Sequence, residues 1–167
     1  MDRRKFLGVG LAAFAAIVAP GTDLMAIDFR AEKPAAWEAE KTAEGIKALY
    51  GSSATVTDKI SLKAPKLAEN GGSIPITIKS KLDLESVAFF QDANPRCLSC
   101  VFSVPAGAII EYDFRVKMRQ TAFVTVVGKE RGTGKIYQTK PIEIDVSIGG
   151  CGGWFNPFTA YIRNKTK

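Results

Sequence analysis

From Ile60 onward, apolar residues recur at every second position in short runs: Ile60 and Leu62; Ile74, Ile76 and Ile78; Ile110, Tyr112, Phe114, Val116 and Met118; and Ile142, Ile144, Val146 and Ile148. A period of two puts the apolar side chains of a run on one face of an extended segment, so each run predicts a strand with one buried and one wet face. Less regular apolar runs at 84–90, 98–104 and 122–127 bring the expected number of strands to about seven or eight. The turn signals "ENGG", "DANP", "VPAG" and "ERGTG" separate these runs at intervals too short for the crossover helices of a parallel sheet. The fold class that follows is mainly β, an antiparallel β-sandwich. Ahead of it, "EKPAAWEAEKTAEGIKALYG" sets Pro34 in a first helical turn and Gly51 at the end, with Trp37, Ile46, Leu49 and Tyr50 sharing a face, and this predicts one N-terminal helix. At 167 residues and 46% hydrophobic, the chain suits one domain with its own core.

The formal charge is +6, from 23 Lys and Arg against 17 Asp and Glu, but the bases are scattered and none forms a run interleaved with stacking aromatics. Nucleic-acid binding is therefore not expected. The best strand alternates sign along its polar side, in Glu111, Asp113, Arg115 and Lys117, which describes a solvated face. Histidine is absent. This removes imidazole metal sites, Ser-His and Cys-His nucleophile pairs and the usual near-neutral general base, so neither a metal nor a catalytic residue is expected.

Residues 1–26 combine paired Arg3 and Arg4, then Phe6 and Leu7, with an apolar stretch at 8–19. That stretch is well short of the roughly 20 apolar residues that span a bilayer. It resembles a twin-arginine export signal with a cleavage site near Leu24-Met25-Ala26, the alternative being an uncleaved N-terminal anchor helix. The expected location is the periplasm, without stable membrane association. The expected organisation is a signal peptide at 1–26, a helix plus β-sandwich at 27–148, a glycine-rich arm at 149–153 and a C-terminal extension at 154–167.

Three cysteines in an oxidising compartment leave at least one without a partner in the same chain. Cys97 and Cys100 form "CLSC" after the "DANPR" loop. No histidine follows for haem attachment and no second cysteine pair completes a zinc site. A local loop disulfide and a redox or resolving pair both remain open, although the helix N-terminus that lowers a redox thiol's pKa is not evident. The odd thiol is Cys151, set between Gly149-Gly150 and Gly152-Gly153 after the last strand. A tight turn needs glycine at one or two positions, whereas glycines on both sides of one residue go further and point to a flexible tether spanning about 12 Å. No base lies near it before Arg163, so a thiol of ordinary acidity is expected, better suited to carrying a group than to attacking one.

The export leader, the N-terminal helix, "AENGGSIPITI" at 68–78, the run of strands and "IGGCGG" at 148–153 together resemble the SoxY family, the sulfur-carrying subunits of periplasmic thiosulfate oxidation. The resemblance implies an immunoglobulin-like sandwich with no cofactor and no catalytic activity of its own. It implies a heterodimer with a SoxZ-like β-sandwich subunit that is exported with it. It further implies that Cys151 carries the intermediates covalently for three transient partners: a haem enzyme that joins thiosulfate to it, a hydrolase that releases sulfate, and a sulfur dehydrogenase. Two features depart from the family pattern. Members usually end near GGCGG, whereas this chain continues for 14 residues as "WFNPFTAYIRNKTK", and CLSC is not expected in a typical member.

Overall fold

The computed structural model describes residues 27–148. Three short helices, α1 (Phe29–Glu32), α2 (Pro34–Glu38) and α3 (Thr42–Tyr50), precede ten strands. The strands are β1 (Thr55–Val56), β2 (Ile60–Lys63), β3 (Leu67–Asn70), β4 (Ile74–Ser80), β5 (Leu84–Gln91), β6 (Leu98–Ser103), β7 (Ile110–Val116), β8 (Ala122–Glu130), β9 (Ile136–Gln138) and β10 (Ile142–Ile148). They form an immunoglobulin-like sandwich of a seven-stranded and a three-stranded sheet, with the helices covering part of the larger sheet's outer face.

The smaller sheet, in the order β2-β4-β7, is antiparallel throughout and behaves as its alternation predicts. Ile74, Ile76 and Ile78 face inward and are fully buried, while Thr77 pairs with Asp113 and Lys79 with Glu111 on the wet side. In the larger sheet β8 is the hub. One of its edges pairs with β5 along nearly its whole length, and the other is shared between β10, at residues 122–124, and β9, at 127–129. β6 lies outside β5. β1 adds to β9 and β3 to β10, both in parallel, so the sandwich is not wholly antiparallel as expected. Arg131 fastens one corner: its guanidinium donates to the Val104 and Leu84 carbonyls and to the Asp83 carboxylate, tying the ends of β5, β6 and β8.

Two cores follow. Val87 and Phe89 of β5, with Val124 and Val126 of β8, meet β4 and β7 inside the sandwich, where the Phe89 and Phe114 rings pack edge to face at 5.5 Å. Ala88, Phe90, Leu98 and Val127 point the other way, against Ala36, Ile46 and Leu49 of the helices. β5 and β8 are thus buried on both faces. A strand with no wet face has no reason to alternate, which is why these two read as irregular apolar runs.

The single helix expected over 34–51 is broken. Ala39 is extended, with φ −62° and ψ 135°, and separates α2 from α3. The carbonyls freed there are taken up from far along the chain: the Arg96 guanidinium donates to the Glu38 oxygen at 2.7 Å, and the Cys97 amide donates to the Ala39 oxygen at 3.0 Å. Helix propensity at Ala39 favours continuation, but the loop before β6 supplies partners that make the break stable. The end at Gly51 is as predicted. Its φ of 84° is left-handed, and its amide closes α3 onto the Lys47 oxygen at 2.8 Å.

Candidate functional site

Cys151, the four glycines around it, the leader and the extension lie outside the described residues; the described part of the site is the base from which 149–153 departs. β10 is buried on its Ile144 side, which fixes its orientation in the sheet. Its far half pairs in parallel with β3, in the register Asp145 to Leu67, Val146 to Ala68 and Ile148 to Asn70. The Asp145 amide donates to the Lys66 carbonyl at 2.8 Å, and the Val146 amide to the Thr121 hydroxyl at 2.9 Å. Immediately after β3 the chain turns at Asn70-Gly71-Gly72, where the Asn70 side-chain oxygen accepts from the Gly72 amide at 2.7 Å. The Gly71 carbonyl accepts from the Met118 amide at 2.8 Å. The two stretches that carry the family resemblance, 68–78 and 148–153, therefore meet where Ile148 registers with Asn70. Sequence reasoning read "ENGG" only as a turn and missed β3 as a support. The Asn-Gly-Gly signal was visible, but a four-residue strand with one inward side chain has too little pattern to announce itself.

The structure keeps Cys97 and Cys100 apart as free thiols. Opposite Phe89 and Phe90, β6 is irregular: Cys100 registers with Phe89 and Leu98 with Phe90, leaving Ser99 as an extra residue. Such a bulge changes which face the following side chains take. Ser99 is held there by a hydrogen bond from the Gln91 side-chain nitrogen at 2.9 Å. Leu98 consequently joins Cys97 in the helix-facing core, while Cys100 packs against the sandwich core. The loop disulfide between Cys97 and Cys100 is not formed.

Neither thiol is activated. Burial raises the Cys97 thiol, and the Glu44 carboxylate adds to this, against amide hydrogen bonds that favour the thiolate. Burial pushes the Cys100 thiol up to about 12. Cys97 also has a packing role: Gly45 of α3 lies so close that a Cβ there would sit 2.7 Å from the Cys97 sulfur and 2.9 Å from a Phe90 ring carbon. A redox pair needs two thiols that can meet and at least one that ionises readily. The CLSC geometry meets neither requirement.

Residues 46–151 match the family described as sulfur oxidation protein SoxY, a span that begins in α3 and includes Cys151. Among solved structures, the sulfur carrier protein SoxY from Chlorobium limicola f thiosulfatophilum is 30% identical, with a TM-score of 0.56, over 63% of this chain and 94% of that chain. The superoxide reductase (neelaredoxin) from Ignicoccus hospitalis is 10% identical, with a TM-score of 0.47, over 53% of this chain and 79% of that one, a likeness too distant to bear on function. No curated protein matches the chain. The family match over most of the described residues, the two-sheet fold and the 30% identical structure establish that this chain belongs to the SoxY family of sulfur oxidation proteins.

Proposed function

We propose that the chain is a non-catalytic sulfur carrier that holds thiosulfate-derived sulfur covalently on Cys151 and presents it to partner enzymes in the periplasm. The observation that carries the reading is that the family match runs to Cys151 itself, directly after a strand anchored on both sides. The described residues supply the base from which 149–153 departs, and the two described thiols, Cys97 and Cys100, are taken up by the cores. Gly149, Gly150, Gly152 and Gly153 present no side chains, so the thiol can enter a narrow cleft in another protein.

Carriage runs in balanced steps. A haem enzyme removes two electrons as the Cys151 sulfur bonds to the outer sulfur of thiosulfate, and the thiol proton leaves. A hydrolase then adds water, breaking the bond between the sulfane sulfur and the sulfonate, and releases sulfate and a proton while a persulfide remains on Cys151. The sulfur dehydrogenase then passes six electrons from that sulfane sulfur to its own electron acceptor while three waters supply the oxygens of a sulfonate and protons leave; a second hydrolysis releases this as sulfate and frees the thiol, and the chain itself donates only the attachment atom. A SoxZ-like β-sandwich subunit is the proposed stable partner. It fits a domain whose outer strands β6 and β7 each leave one edge unpaired among the described residues.

Selective alkylation of the native protein tests this assignment. A thiol near 8.5 is substantially ionised at pH 8, whereas one near 12 is about one part in ten thousand thiolate. Because the Cys100 thiol is raised and Cys97 is fully buried, Cys151 is expected to react with iodoacetamide on the order of a thousandfold faster than either. Peptide mass spectrometry reads this directly, and comparable rates at the three cysteines would count against a dedicated carrier thiol. Export has its own test. Replacing Arg3 and Arg4 with lysine is expected to strand both this chain and its partner subunit in the cytoplasm, and a partner that still reaches the periplasm would argue against co-export.

A further inference from the structure

The polar side of β7 is segregated in charge rather than alternating. Its outward residues run Glu111, Asp113 and Arg115, and the chain continues through Lys117 and Arg119. Toward one end the acids are taken up by β4, Glu111 by Lys79 and Asp113 by the Thr77 hydroxyl. Toward the other, Arg115 reaches only the oxygens of Ser73, at 3.3 and 3.5 Å, and neither Lys117 nor Arg119 pairs with a carboxylate among the described residues. All three bases are exposed. The backbone that carries them is held from within. Met118, between Lys117 and Arg119, is fully buried, and its amide donates to the Gly71 carbonyl at 2.8 Å. The Asn94 side chain donates to the Lys117 carbonyl at 3.0 Å and accepts from the Arg119 amide at 3.4 Å, and the Gln91 side-chain nitrogen also donates to the Lys117 carbonyl, at 3.4 Å. Bases on a pinned backbone lose little conformational freedom on meeting a partner.

This stretch lies where 149–153 departs. Gly71, which accepts from Met118, follows Asn70, the residue in register with Ile148, and the Thr121 hydroxyl accepts from the Val146 amide. Three peptide links of about 3.8 Å keep the Cys151 Cα within about 11 Å of that of Ile148, whatever course they take. A protein that acts on a group carried by Cys151 therefore brings the rim of its cleft against this end of the sandwich. None of the large exposed apolar residues among those described lies within 70–73 or 115–121, so contact here is polar and lacks the apolar anchors of long-lived complexes. We infer that Arg115, Lys117 and Arg119 form the docking surface for the enzymes that act on Cys151, and that those enzymes carry acidic residues around the mouth of the cleft the thiol enters. Opposite charges speed and orient the encounter, while the lack of an apolar anchor lets the carrier leave for the next enzyme. Glu69 and Asp145 belong to strands of the larger sheet, so the bases mark one side of the departure point. Arg115 projects from the wet face of the smaller sheet rather than from its edge, which leaves the edge of β7 to the partner subunit. The inference rests on the carrier reading above and names the chemistry of the surfaces that read the thiol.

The test measures kcat/KM of the haem enzyme that joins thiosulfate, with the mature chain and its partner subunit as substrate, over a range of salt concentrations. Lys117→Glu together with Arg119→Glu is expected to lower kcat/KM at low salt about tenfold with little change in kcat, and to flatten its decline with salt. Lys117→Arg together with Arg119→Lys keeps the charge and is expected to stay within about twofold of the parental value. Lys59→Glu together with Lys81→Glu makes the same change in net charge at the far end of the smaller sheet, beside the Ile60 to Ser80 register, and is also expected to stay within about twofold. A kcat/KM unchanged by reversal at Lys117 and Arg119 overturns the inference, and so does an equal loss from the distant reversal or from the charge-keeping pair. Cys151→Ser separates the two readings: turnover abolished there but untouched by the reversal refutes the docking surface and leaves the carrier standing, whereas turnover that survives Cys151→Ser refutes the carrier reading itself.

Discussion

Replacing Cys151 with serine is expected to abolish thiosulfate-dependent growth while leaving the melting temperature of the isolated domain unchanged. The substitution exchanges one sulfur for oxygen and alters no residue of the two described cores. The chemistry is lost entirely, because a hydroxyl oxygen cannot form the sulfur–sulfur bond on which both the thiosulfonate and the persulfide depend. Neither remaining cysteine can substitute: Cys97 is fully buried beneath α3, and the Cys100 thiol is held largely protonated by its surroundings. Growth of the variant at the parental rate, with the variant chain replacing the parental one at normal levels, would remove the carrier assignment.

The second large effect concerns the fold that supports the thiol. Phe90 is fully buried in the core between the larger sheet and the helices, with Gly45 of α3 closing on its ring. Phe90→Ala removes that ring from a site where backbone and helix press from both sides, and truncations of this kind cost about 3–5 kcal/mol. Typical domains have about 5–15 kcal/mol in total, so the variant is expected to lose a third or more of its stability. Urea unfolding of the mature domain reads this as a lower midpoint with an unchanged slope. Ile109, 87% exposed in the loop before β7, provides the contrast: Ile109→Ser is expected to shift stability by no more than about 0.5 kcal/mol. A small loss for Phe90→Ala would mean that the helices are not docked as described.

What could be read from the sequence divides along physical lines. β4, β7 and β10 each have one wet face, and their alternation located them almost to the residue. β5 and β8 were seen as apolar runs, but their central place was hidden, because burial on both faces erases the period. The break at Ala39 was not legible because its cause lies in Arg96 and Cys97, more than 50 residues away in the sequence. That Leu98 joins Cys97 on the helix side depended on the extra residue at Ser99, a bulge that needs the register of a neighbouring strand to be seen. Cys151 stood out for the opposite reason. Its signal is purely local, a thiol between glycine pairs, and it owes nothing to packing. The support beneath it, where β3 and the Asn70 turn meet the end of β10, belongs to tertiary structure and was found only there.

The central claim is that Cys151 is the atom on which sulfur travels, and the most direct measurement is the intact mass of the Cys151-containing peptide from protein taken from cells oxidising thiosulfate. The account predicts a mixture of peptides heavier by a thiosulfonate group or by one sulfane sulfur, both returned to the free thiol by a reductant, with Cys97 and Cys100 unmodified. An unmodified Cys151 under active turnover, or sulfur adducts found on Cys97 or Cys100 instead, would contradict it.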